Sequence, residues 1–107
     1  MRRLFRAVAV PLVYLWLAVL LHAPAFTALG SRTLCSCGDQ PQTDWYLAWT
    51  PYAVLHGRSP WTTDYLSVPD GVNLMWNTLL PLPGMLFAPV TLLVSPMATH
   101  TLLSVAA

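Results

Sequence analysis

The chain has 107 residues, 56% of them hydrophobic and only 8% charged, with a formal net charge of +1. An ordinary soluble domain carries about 25% charged residues, so composition sets this chain apart from that class. There is no lysine and no glutamate, and the five arginines form no basic stripe, which excludes a nucleic-acid partner.

Residues 1–6 hold Arg2, Arg3 and Arg6 and read as a short cytoplasmic amino terminus. The next segment, 7–29, has no arginine, lysine or carboxylate. About 20 apolar residues cross the hydrocarbon core as a helix, so 7–29 is expected to be a transmembrane helix. Pro11 falls in its first turns, where a missing N–H is tolerated, and Pro24 kinks or ends it. Tyr14 and Trp16 lie mid-segment and are expected to face protein. The arginines keep the amino terminus inside. A cleaved signal peptide competes, with "APA" (Ala23 to Ala25) as its cleavage site. Signal h-regions run about 7–15 residues, and this one is longer. A lipoprotein is excluded, because Leu34 and Arg32 do not fit the positions before Cys35. His22 sits close to the outer end, where a neutral imidazole reaches the headgroups.

Segment 30–75 is expected outside the cytoplasm. It holds Asp39, Asp44, Asp64 and Asp70 against Arg32 and Arg58. Cys35 and Cys37 form a C-x-C pair. Structural zinc needs two such pairs or a pair plus two spaced histidines, and His22, His56 and His100 are scattered. The pair reads as two loop residues or as a disulfide, to each other or elsewhere, which an oxidising compartment permits. Thr43 or Asp44 can cap a helix over about 44–56, with Gly57 as its stop. Trp45, Trp49, Tyr52 and His56 recur at helical spacing and form one stripe. Such a stripe lies in the headgroup region or packs against the rest of the protein, and Pro51 is expected to kink the helix. The following stretch reads as loop, with Pro69-Asp70-Gly71 a tight turn that gives Gly71 positive φ.

From Leu74 to Ala107 there is no formal charge, and His100 is the one titratable side chain. Prolines 81, 83, 89 and 96 cut this run, so 76–94 is expected to be a broken interfacial or re-entrant helix. Residues 95–107 then begin a second transmembrane helix, with Ser95 as cap and Pro96 at its first position. The second run stops mid-pattern, which leads to the expectation of an amino-terminal fragment of a larger multi-pass protein. The fold class expected is mainly α, helical and integral to the membrane.

Asp39 follows Gly38 soon after the first span. A carboxylate held and partly desolvated at a membrane surface can serve as a general base. A solvated loop aspartate is the plain alternative. Asp44 suits a helix cap or first-turn charge.

The pieces "GDQPQTDWYLAW", "HGRSP" and "PDGVNLMWNT" complete a pattern over roughly Gly38 to Pro96. It resembles the start of large actinobacterial multi-pass proteins related to the GT-C glycosyltransferases. That resemblance implies transfer of a sugar from a polyprenyl-phosphate donor outside the cytoplasm, in the cell membrane. Asp39 matches the acidic residue that the family carries in its first outer loop, with the role of general base. Some relatives have two adjacent acids here, whereas this chain follows Asp39 with Gln40. Asp44, Trp45 and His56 are secondary candidates for substrate binding. A divalent metal is compatible with the family, though no ligand cluster supports one. The implied partners are the bilayer, the lipid-linked sugar and the rest of the same polytopic chain, and this stretch alone is expected to be inactive. Two other readings stay open. One is a non-catalytic multi-pass protein that handles a lipid or polymer. The other is a small secreted or anchored interaction protein.

Overall fold

Helix α1 spans Arg2–Leu21 and is built from leucine, valine and alanine, with Pro11 inside it. A computed structural model describes residues 2–31 and 38–107, with side chains from Arg6 onward within the first segment. Cys35 and Cys37 lie outside the described residues. The helix begins earlier than the apolar run does, which puts Pro11 at mid-helix rather than in the first turns. It also ends earlier. His22 follows as a turn, and α2 covers only Ala23–Phe26. The helical ladder reaches His22, whose N–H donates to the Ala18 carbonyl at 3.0 Å. Pro24 has no N–H for the next rung, and the ladder breaks there. The single helix expected over 7–29 is therefore two pieces. Among the described residues no helix is long and apolar enough to cross a membrane. Tyr14 and Trp16 are exposed, at 70% and 62%, instead of facing protein.

Helix α3, Gln40–Leu55, is the hub. It begins four residues before the expected start. Gly38 at φ 59° turns the chain into it, and Pro41 sits in the first turn, where the lost N–H costs nothing. Asp39 occupies the N-cap position but makes no side-chain capping bond. Neither Thr43 nor Asp44 caps the helix. Thr43 Oγ1 donates back to the Asp39 carbonyl at 3.1 Å. The far end closes as expected around Gly57, at φ 63°. Gly57 N–H donates to the Val54 carbonyl at 3.2 Å and Arg58 N–H to that of Ala53 at 2.8 Å, the two bonds of a Schellman motif. Pro51 is buried inside a helix that continues through it.

The segment expected to be plain loop holds a minimal hairpin. Strands β1, Thr62–Thr63, and β2, Val72–Asn73, pair antiparallel with Thr62 opposite Asn73 and Thr63 opposite Val72. Gly71 takes φ 72° in the turn before β2, and a Cβ there would stand 2.8 Å from the Thr63 carbonyl oxygen. A 3-10 turn, Leu74–Trp76, follows, with the Asn73 side chain accepting from Met75 N–H at 3.0 Å.

The broken helix expected over 76–94 is two short helices, α4 at Pro81–Leu86 and α5 at Ala88–Leu93, parted at Phe87. Helix α6, Pro96–Ala106, starts as expected: Ser95 Oγ accepts from Ala98 N–H at 3.1 Å. Helices α4, α5 and α6 pack on α3, and α1 meets α6. Tyr46, Trp49, Ala53 and Leu74 form the buried core, with Trp45, Tyr52, Val72 and Leu79 against it. The described architecture is mainly helical.

Candidate functional site

Ring contacts run the length of the α3 stripe. Trp45 and Trp49 stack with centroids 5.4 Å apart and planes 5° from parallel. Trp49 meets Tyr52 at 5.8 Å, and Tyr52 stacks on His56 at 4.0 Å. These are the spacings the sequence pattern sets, since residues three and four apart are neighbours on a helix. The stripe is folded into the protein rather than left bare. Trp49 is 4% exposed, and its Nε1 donates to the Pro60 carbonyl at 3.2 Å, which pins the hairpin segment to α3.

Tyr65, from the loop after β1, joins the cluster. Its ring meets Trp49 edge-on at 5.4 Å, and its hydroxyl shares a 2.8 Å hydrogen bond with that of Tyr52. That bond, aided by partial desolvation, raises the Tyr52 pKa above the ordinary tyrosine value. Arg58 lies 5.1 Å over the Tyr65 ring and pairs with Asp64 at 2.8 Å. Both charges are well exposed, so that pair holds the loop weakly.

Between this aromatic wall and α5 and α6 runs an open groove of about 370 Å³. Trp45, Ala48, Trp49, Tyr52 and Tyr65 form one side, and Thr91, Leu92 and Pro96 the other. Thr91 and Thr99 exchange a 2.8 Å hydroxyl hydrogen bond behind it. The groove is apolar with a hydroxyl rim, a lining suited to a hydrocarbon chain or the apolar face of a sugar ring.

One turn from Ala48 along α3, Asp44 points inward. Its Oδ1 accepts from His100 Nδ1 of α6 at 2.7 Å, across 56 residues of sequence. The two side chains are 10% and 23% exposed. Asp44 is thus a buried tie between helices, not the first-turn surface charge expected. Burial of a carboxylate demands a partner, and His100 supplies it.

The remaining candidates fall as follows. Asp39 is exposed at the start of α3. Trp45 lines the groove. His56 caps the far end of α3, exposed, with Nδ1 against the Tyr52 carbonyl at 2.8 Å. His22 is held in the same local way by the Ala18 carbonyl at 2.8 Å. Asp39, Asp44 and Trp45 therefore share the first turns of α3, while His56 stands at its other end. Among the described residues no group of three or more His, Cys, Asp or Glu gathers to hold a metal ion.

Sequence reasoning passed over Tyr65 and His100 as site residues. Tyr65 carries no periodic signal, because it sits in a loop. His100 did carry one: a lone ionisable side chain in a charge-free run requires a partner. No family model, curated protein or solved structure matches this chain.

Proposed function

We propose that this chain belongs to a membrane-embedded glycosyltransferase of the GT-C type. It moves a sugar from a polyprenyl-phosphate donor to an acceptor hydroxyl outside the cytoplasm. The observation that carries the membrane half is the surface of α1. Leu12, Val13, Tyr14, Leu15, Trp16 and Leu17 are consecutive, and each is at least 42% exposed. Successive residues step about 100° round a helix, so those six leave no face of α1 buried. A helix apolar on every side needs lipid or further protein around it. Neither α1 nor α2 alone reaches the length and apolarity of a span. The proposal takes the two together, joined through His22, with Arg2, Arg3 and Arg6 at the inner end.

The transferase half rests on the "GDQPQTDWYLAW", "HGRSP" and "PDGVNLMWNT" segments. In the fold these converge: the first builds α3, the second ends it, and the third supplies β2, the 3-10 turn and the buried Leu74. The groove along α3 offers an apolar place for part of a lipid-linked sugar. A second reading, a non-catalytic lipid-handling protein, is favoured by that same apolar lining.

Membranes carrying the full-length protein, incubated with radiolabelled polyprenyl-phosphate sugars, distinguish the two. Label passing to a glycan acceptor is the expected result. Bound donor with no transfer of any sugar contradicts the transferase reading and leaves the lipid-handling one.

A further inference from the structure

We infer that the outward face of α4 and α5, carrying Leu82, Leu86 and Leu93, rests on the outer leaflet of the bilayer and so sets the depth of the groove. The inference rests on the membrane half of the reading above. It adds the surface by which the outer part of the chain meets lipid.

The sorting of side chains in these two helices is the reverse of what water imposes. Successive residues step about 100° round a helix, so positions two apart face nearly opposite ways. In α4, Gly84 is buried against Thr50 of α3, where a Cβ would stand 2.9 Å from the Thr50 Cβ. Two residues to either side, Leu82 and Leu86 are 76% and 71% exposed. In α5, Thr91 is buried, its hydroxyl bonded to that of Thr99 of α6 at 2.8 Å. Two residues on, Leu93 is 86% exposed. Thr50, Thr99 and Thr101 are buried as well. Glycine and threonine thus fill the contacts between helices, and leucine faces out. In water the hydrophobic effect drives leucine inside. Against lipid tails, which are as apolar as leucine, small residues and hydroxyls make the contacts between helices.

Length and position select the interface rather than the hydrocarbon core. Each helix has six residues, about 9 Å at 1.5 Å per residue, against a core about 30 Å thick. Gly30, just past α2, lies against the junction of α5 and α6. A Cβ placed on it would meet Ser95 Oγ at 3.2 Å and Val94 Cγ1 at 3.3 Å. The outer end of the proposed span and the end of α5 therefore stand at one level. From Leu74 onward the chain has no formal charge, so this face offers no ion pair to a polar protein partner. Trp76, in the 3-10 turn before α4, is exposed, and tryptophan concentrates at membrane–water boundaries.

The seating has a consequence for the groove. Leu92 is exposed beside Leu93 and lines the groove with Pro96. A bilayer against Leu93 brings that wall to headgroup depth. A lipid-linked ligand then reaches the groove by lateral diffusion, without its chain leaving the membrane.

The test uses the full-length protein in phosphatidylcholine vesicles, with Cys35→Ser and Cys37→Ser as background. Leu86→Cys, Leu93→Cys and Asp70→Cys are each spin-labelled and exposed to oxygen, which concentrates in lipid, and to a water-soluble nickel complex. Oxygen is expected to relax the labels at 86 and 93 more than the nickel complex does, with the order reversed at 70. Nickel dominating at 86 or 93 overturns the inference, because the face then meets water. A label there that neither reagent reaches also overturns it, because further protein then covers the face. Either result in a protein that carbonate fails to extract from the vesicles leaves the membrane reading standing. A wild-type protein that carbonate extracts overturns the membrane reading and this inference with it. The readout needs no catalysis, so it does not depend on the transferase half.

Discussion

Tyr52 is where the aromatic stripe acquires a polar function. Its hydroxyl meets Tyr65 at 2.8 Å, and its ring lies between Trp49 and His56. The Tyr65 hydrogen bond is the largest cause of its raised pKa, with desolvation next. A raised pKa means the fold favours the neutral phenol. Its contribution is complete below the ordinary tyrosine pKa and is lost as pH climbs through the raised value. Ultraviolet titration of the phenolate in wild type and Tyr65→Phe, each referred to its own Tyr52→Phe partner, reads this directly. The Tyr52 transition is expected to move to lower pH when the Tyr65 hydroxyl is removed. An unmoved transition contradicts the assignment.

The same scale explains what could be read from the chain beforehand. Trp45, Trp49, Tyr52 and His56 were legible as one face because helical spacing alone makes them neighbours. The Asp44–His100 tie was not legible. Its partners are 56 residues apart, and local pattern carries no information at that range. Asp44 instead has the composition and position of a first-turn charge, and only burial distinguishes the two roles.

Among the elements, α3 and α4 meet tightly at Gly84. Gly84 is buried, and a Cβ placed on it would stand 2.9 Å from Thr50 Cβ and 3.1 Å from Thr50 Oγ1. Exchanging glycine for alanine inside a helix ordinarily gains about 0.5–1 kcal/mol. Overpacking a filled contact costs about 1–3 kcal/mol, and here the nearest atom is a Cβ that cannot swing away. Gly84→Ala is therefore expected to be net destabilising. Thr50→Ala in the same chain should recover only part of the loss, because the Thr50 Cβ remains. Unfolding midpoints in detergent for the single and double variants check this. A Gly84→Ala chain as stable as wild type sinks the close-packing account.

Element boundaries divide into those with local chemistry and those without. Ser95 before Pro96, and Gly57 after His56, mark α6 and the end of α3 because each position has its own backbone demand. The start of α3 escaped, since Asp39 holds the N-cap position without using its side chain as a cap. The hairpin escaped because strands of two residues are too short to alternate visibly, although Gly71 marked the turn before β2. The break at Pro24 was foreseen as a kink or stop, and it falls where the missing N–H requires.

For the whole molecule, the governing feature is asymmetry. α3 is buried against its neighbours along most of its length, whereas α1 offers apolar side chains on every face. α5 adds to this with Leu93 86% exposed, and the 3-10 turn with Trp76 89% exposed. Exposed apolar area on this scale marks contact with lipid or further protein. In the function proposed above, α1 and α2 lie in the membrane, and α3 with its groove at the outer surface.

Labelling Cys35 and Cys37, reduced first, with a membrane-impermeant maleimide tests that arrangement most directly, in intact cells and after lysis. The cysteines fall between the proposed span and α3, so they report the side on which the site begins. The account predicts full labelling in intact cells, with the protein retained in the membrane fraction after carbonate extraction. Labelling only after lysis, or release of the protein by carbonate, contradicts it.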